Sequence, residues 1–152
     1  LNTVKELIYW SYANLAMAHS AINQHLAKYT KINYIIRAKL YKGLLTGTMN
    51  IGSMIDDEKI KLKSGCICAY CGTGDNLSVD HLIPKMLGGE NNADNAIFAC
   101  KSCNSSKGGK DLLEWCSQKG IFPPILILRR YLKLVYKYCC QNNLLEDMAE
   151  GI

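Results

Sequence analysis

The chain has 152 residues, 49% of them apolar and 20% charged, with a formal net charge of +5. That length favours one domain, or one small domain with appendages, and is enough to bury a hydrophobic core unaided. The apolar runs, such as residues 125–128, are far too short for a bilayer, and Lys5 and Glu6 stand where a secretion leader needs a basic segment before an apolar run. No membrane span and no signal peptide are expected.

The chain opens on Leu1 rather than Met, which points to a processed product or a fragment of a longer protein. Its charge is unevenly spread. Residues 1–65 hold nine Lys/Arg against four Asp/Glu, residues 66–110 four against four, and residues 111–152 five against five. The excess therefore lies in the N-terminal part. A basic flank suits a polyanionic partner, and a solvated helix surface is the plainer account on charge alone.

Residues 3–29 read as a long amphipathic helix opened by the capping box Thr3-x-x-Glu6, with Val4, Leu7, Ile8, Tyr12, Leu15, Ile22, Leu26 and Tyr29 near helical spacing. A second helix is predicted over 32–45, with Gly43 and Gly47 near its end, then a loop over 46–53 and a charged segment over 56–63. From Gly65 to Lys110 the chain is rich in Cys, Gly and Asn. A strand is predicted over 78–83, a loop through Gly88-Gly89, a strand over 96–99 and a short helix from Lys101. Asp111-x-x-Glu114 caps another helical piece through Trp115. Pro123-Pro124 opens a last helix, 125–141, with Leu128, Leu132, Val135, Tyr136 and Cys139 as its apolar stripe and Arg129, Arg130, Lys133 and Lys137 off it. The fold class is α+β, in three parts: a helical region 1–64, a core 65–118 and a helical region 119–152.

Eight cysteines would suggest disulfides in a secreted chain, but four form two C-x-x-C pairs, Cys68/Cys71 and Cys100/Cys103, with 28 residues between them. Two such turns complete a tetrahedral S4 site, the usual structural zinc arrangement, and imply a reducing cytoplasm. Cys66 stands near enough to replace Cys68, at the less usual spacing C-x4-C. Cys116, Cys139 and Cys140 suit small core or surface positions. The insert between the knuckles has few large apolar residues, so the metal substitutes for a core.

That insert carries Asp80-His81-Leu82-Ile83-Pro84, Gly88-Gly89 and Asn95; Asn104 comes directly after Cys103, with Lys107-Gly108 beyond. The string C-x-Y-C-G, V-D-H-x-I-P, G-G, N, A-C-x-x-C-N-x-x-K-G resembles the HNH (ββα-metal) endonuclease family over about residues 66–110. It is closest to the zinc-stabilised branch, as in the HNH domain of RNA-guided CRISPR nucleases. The helical flanks look like those of bacterial restriction or phage-defence HNH proteins, a weaker match.

The resemblance implies divalent-metal-dependent hydrolysis of DNA, double-stranded by expectation, with His81 as general base and Asp80 and Asn104 as ligands of Mg²⁺ or Mn²⁺. Imidazole chemistry and hard oxygen donors suit those roles. Neighbours on a strand point to opposite faces, so Asp80 and His81 converge only if the strand end bends. By resemblance Asn95 orients His81 or ties the hairpin loop, and a turn-stabilising Asn is the alternative. Lys107 suits either a phosphate oxygen or a solvated helix end. His19 lies near the apolar stripe of the first helix and suits packing; His25 also falls outside the motif. A catalytically silent zinc-dependent binding or regulatory module is the competing function, and the flanks suit a homodimer or a regulatory partner. A disulfide-linked secreted nuclease is the remaining, remote alternative.

Overall fold

The computed structural model describes residues 3–51 and 67–149. The charged segment 56–63 and Cys66 lie outside them. Contacts divide the chain into two units, 1–53 with 135–152, and 54–134.

In the first unit, α1 (Val4–Asn23) opens as its capping box requires: Glu6 N–H donates to Thr3 Oγ1 at 3.2 Å, and Thr3 N–H to Glu6 Oε1 at 3.1 Å. The helix stops six residues short of the expected 29. His25 takes φ +55°, its N–H bonds Ile22 O and Leu26 N–H bonds Ala21 O. This is a Schellman stop with histidine in the left-handed position where glycine is commoner. The apolar periodicity continues through it, which is why the pattern overran. His25 therefore serves the turn. The second helix, α2 (Lys31–Thr46), starts where Thr30 N–H and hydroxyl donate to Asn33 Oδ1 at 2.8 and 3.1 Å, and ends at Gly47 with φ +80°. Ile8, Tyr9, Leu44, Ile51 and Cys139 form the buried cluster. Thr3 pairs with Met148, and Lys5 meets Glu146 at 2.6 Å, so the C-terminal tail lies along the start of α1.

The second unit holds an antiparallel hairpin of β1 (Leu77–His81) and β2 (Ala96–Cys100), with Asp80 opposite Ile97 and His81 opposite Ala96. β1 ends two residues before the expected 83, because the backbone of Ile83 pairs with the Asn95 side chain instead of a strand. Helix α3 (Lys101–Lys107) follows directly, then α4 (Leu112–Lys119) and α5 (Ile125–Gln141). Leu82, Ile97, Leu112, Trp115, Cys116, Ile127 and Leu134 build this unit's core. The described residues are thus helices with a two-stranded antiparallel sheet, an α+β arrangement.

The unit boundary falls inside α5, between Leu134 and Val135. The expected middle part, 65–118, lies within the second unit, and the expected C-terminal region is divided between the two. The simple stripe expected for α5 needs correction. Ile127 and Leu134 are buried as well as Leu128 and Cys139, and Arg130 and Lys133, expected off the buried side, are 2% and 1% exposed. Residues 127 and 134 pack in one core and 139 in the other, so no single polar face survives along the helix.

Asp111 caps α4 by accepting from Leu113 N–H at 3.0 Å, while its other oxygen accepts from Tyr131 OH at 2.5 Å. Burial and that acceptor hold the Tyr131 phenol well above its ordinary range. Asp111→Ala removes a cap and strands a half-buried hydroxyl, so urea unfolding of the full chain should show a loss of about 1–3 kcal/mol.

Candidate active site and metal centre

The sulfur atoms of Cys68, Cys71, Cys100 and Cys103 all lie within 4.8 Å of one another. Cys71 Sγ and Cys100 Sγ are 3.7 Å apart. A tetrahedral zinc with bonds near 2.3 Å would set its ligand edges at about 3.8 Å. The cluster therefore fits a structural zinc site in donor type, number and spacing. Local backbone builds it. Gly72, at φ +83°, turns the first knuckle, its N–H bonding Cys68 O at 2.9 Å, and Ala69 N–H docks that knuckle on Phe98 O of β2 at 2.8 Å. Cys100 is the last residue of β2 and the N-cap of α3, accepting from Cys103 N–H at 3.4 Å.

The thiols influence one another. Burial pushes the Cys68 thiol up, but backbone N–H groups at Cys100, Cys71 and Tyr70 outweigh it and bring it down to about 7. Cys103 is pushed well up, by burial first and then by the Cys100, Cys71 and Cys68 sulfurs. A coordinated cation overrides these shifts, because a ligating thiol is deprotonated outright.

Tyr70, between the two cysteines of the first knuckle, links this centre to the motif. Its OH donates to Asp80 Oδ2 at 2.8 Å, and its ring meets Trp115 edge-on at 5.1 Å. Burial and the Asp80 carboxylate push the phenol far up, so it remains the donor. Lys107 Nζ lies 3.3 Å from the same Asp80 oxygen and donates to His81 O at 3.1 Å. Lys107 is fully buried. Neither place expected for it, a phosphate or a solvated helix end, is where it sits. Its amine is engaged by two acceptors of β1, and it acts on the site through Asp80 and the strand end.

Ser78 and Asp80, two apart on β1, share one face, and Asn104 reaches that face from α3. Its Nδ2 donates to Ser78 Oγ at 3.0 Å, and Ser78 donates on to Ala99 O at 3.2 Å. Asp80 and Asn104 are thereby placed on the same side of the hairpin. Among the described residues no hydrogen bond falls on Asp80 Oδ1 or Asn104 Oδ1. These are two hard oxygens of the kind Mg²⁺ and Mn²⁺ take.

His81 points the other way, as the pleat requires, from the last position of β1. Its Nε2 is 2.9 Å from Asn91 Oδ1. A carbonyl oxygen accepts, so Nε2–H is the donor in this contact, and among the described residues no hydrogen bond falls on Nδ1. Asn95 makes no hydrogen bond to the ring. It is 1% exposed and ties the loop, with Oδ1 on Ile83 N–H at 2.8 Å and Nδ2 on Ile83 O and Glu90 O at 2.9 and 2.8 Å. The glycine pair makes this possible. Gly88 takes φ +96°, and a Cβ on Gly89 would overlap the Ile83 carbonyl and crowd the Asn95 amide.

The hairpin and α3 thus bring together Asp80, Asn104 and Lys107, and leave His81 on the opposite face beside Asn91. Tyr70 stood in the C-x-Y-C string without a role, and its place between two cysteines was the only clue to one. Asn91 was one of several loop Asn residues, and nothing in its spacing set it apart.

A model of the HNH endonuclease family matches residues 68–113, under a third of the 152-residue chain. Every motif residue described above, from Cys68 to Lys107, lies inside that segment. No curated protein and no solved structure matches the chain.

Elemental analysis of the purified chain should find about one zinc per molecule, and Cys103→Ser should lose it together with the fold of the hairpin. Lys107→Ala leaves a buried carboxylate without its ion pair, and chemical unfolding should register a loss of about 3–5 kcal/mol. Gly89→Ala should destabilise as well, since the clash is with backbone that cannot give way.

Proposed function

We propose that this protein is a divalent-metal-dependent HNH endonuclease that hydrolyses DNA phosphodiester bonds. The observation that carries it is the pair of open hard oxygens, Asp80 Oδ1 and Asn104 Oδ1, on one face of the hairpin, with the His81 imidazole one residue beyond Asp80 and hydrogen-bonded to Asn91. The family match over 68–113 supports the same reading.

In this mechanism the strand end bends when substrate binds and brings His81 to the Asp80/Asn104 face, where Nδ1 takes the proton of a water as the water oxygen bonds to phosphorus and the bond to the departing 3′ oxygen breaks. Asp80 and Asn104 are the residues that would hold Mg²⁺ or Mn²⁺, and that cation would supply positive charge against the phosphate and the leaving oxygen. Asn91 orients the base. Asn95 holds the loop that carries Asn91. Lys107 and Tyr70 aim the Asp80 carboxylate.

The substrate in this reading is double-stranded DNA, and one site cuts one strand, so a double-strand break calls for a homodimer or repeated nicking. On the resemblance of the helical flanks we also place it in restriction or phage defence, where those flanks would suit a regulatory partner. Four thiolates on one metal suit the reducing cytoplasm. No described helix is long and apolar enough to cross a membrane.

One observation favours a second reading, a catalytically silent zinc-dependent nucleic-acid-binding or regulatory module. The Lys107 ammonium already stands beside Asp80 and weakens that carboxylate's pull on a second cation. Supercoiled plasmid separates the two. The wild type should nick it with Mg²⁺ or Mn²⁺. His81→Ala should abolish nicking with zinc content unchanged, and Asn91→Ala should slow it by roughly 10²-fold or less, the low end of general-base effects. A wild type inert with every divalent ion, and a His81→Ala variant that binds DNA as well as it does, would establish the silent module.

A further inference from the structure

The first unit carries a charge pattern that the nuclease site does not use. From residue 7 to residue 51 the chain has five Lys/Arg and no Asp or Glu. Four of the five, Lys28, Lys31, Lys39 and Lys42, are exposed, and among the described residues none of their side-chain ammonium groups has an ion-pair or hydrogen-bond partner. On α2, Lys31, Lys39 and Lys42 fall within about 80° of arc and span about 16 Å of axis. One strand of a duplex carries a phosphate every 3.4 Å or so, and a row of that length meets several of them.

Aromatic rings border the row. Tyr29 and Tyr34 are 40% and 48% exposed, with ring centroids 5.8 Å apart at 70°. The fifth cation, Arg37, is set against Trp10 and Tyr34, 4.6 and 5.2 Å from their centroids, and donates to Asn14 Oδ1 at 3.1 Å. That clamp stiffens Tyr34 while leaving part of its ring in solvent. Exposed cations without acids, beside exposed aromatic rings, are what single-stranded nucleic acid binds: phosphates on the lysines, bases on the rings.

We infer that the outward face of α2, with the Tyr29–Tyr34 pair, is a second nucleic-acid contact that holds a single-stranded or locally unpaired segment. Its choice of polyanion rests on the nuclease reading, and its evidence is independent of the His81 site. The face also exposes Ile32 and Ile35, 64% and 43% accessible. An anionic lipid surface is the rival occupant that the experiment must distinguish.

The test uses the full chain in a His81→Ala background, so that binding is read without cleavage. Fluorescence anisotropy follows a labelled single-stranded oligonucleotide across a salt series. Combined Lys31→Ala, Lys39→Ala and Lys42→Ala should weaken binding at least about tenfold near 0.1 M salt and flatten the slope of log affinity against log salt by about two to three. Tyr34→Ala should weaken binding with the slope unchanged, because stacking releases no counterions. Circular dichroism and zinc content should match the parent for each. An unchanged affinity and slope in the lysine variant overturn the inference, as does a loss seen only on phosphatidylserine vesicles and not on the oligonucleotide. Lysine-dependent binding by a chain that never nicks plasmid would leave this inference standing and defeat the nuclease reading; nicking with lysine-independent binding would do the reverse.

Discussion

Four sulfur atoms from two turns, separated by 28 residues of chain, lie within 4.8 Å of one another, and the segment between them depends on that meeting. A structural zinc binds such a set with an apparent free energy of about 10–16 kcal/mol, as large as the whole stability of a typical domain. The turns do more than grip a metal. The first places Tyr70 against Asp80, and the second ends β2, caps α3 and puts Asn104 on the hairpin face. Both sides of the motif are therefore aimed from one small region.

The second constraint is electrostatic. A buried ammonium and carboxylate meet at 3.3 Å, and a buried pair of this kind is weak as a source of stability because both ions lose their water. Its value lies in geometry. Lys107 also holds the carbonyl of His81, so one amine joins α3 to both motif residues of β1. The same amine lowers the net charge that Asp80 presents to a divalent cation while leaving Oδ1 open. In the nuclease reading the site is a compromise between holding the strand end and attracting a metal.

Local signals in the chain were legible where their cause is local. The capping box at Thr3, the Asp111 cap, the Pro-initiated last helix and the C-x-x-C turns each depend on residues within a few positions of one another, and each stands where its pattern put it. The misplaced features depend on partners far along the chain. Helix α1 ends at a histidine in a left-handed conformation that no composition rule demands. Strand β1 ends early because Asn95, twelve residues on, takes the backbone of Ile83. Arg130 and Lys133 are buried because α5 contributes to two cores rather than one.

By itself the sequence determined which residue types could do chemistry here: thiolates in pairs, a histidine beside an aspartate, and asparagines at set distances. Those follow from spacing and donor chemistry, which covalent structure carries directly. Only the tertiary structure decided which of them meet. It joined Asp80 to Tyr70 and Lys107, gave His81 to Asn91 rather than Asn95, and took Lys107 out of solvent. The reason is the pleat and the hairpin loop: alternate strand residues face opposite sides, and which loop side chain reaches each face depends on a turn closed over Gly88 and Gly89.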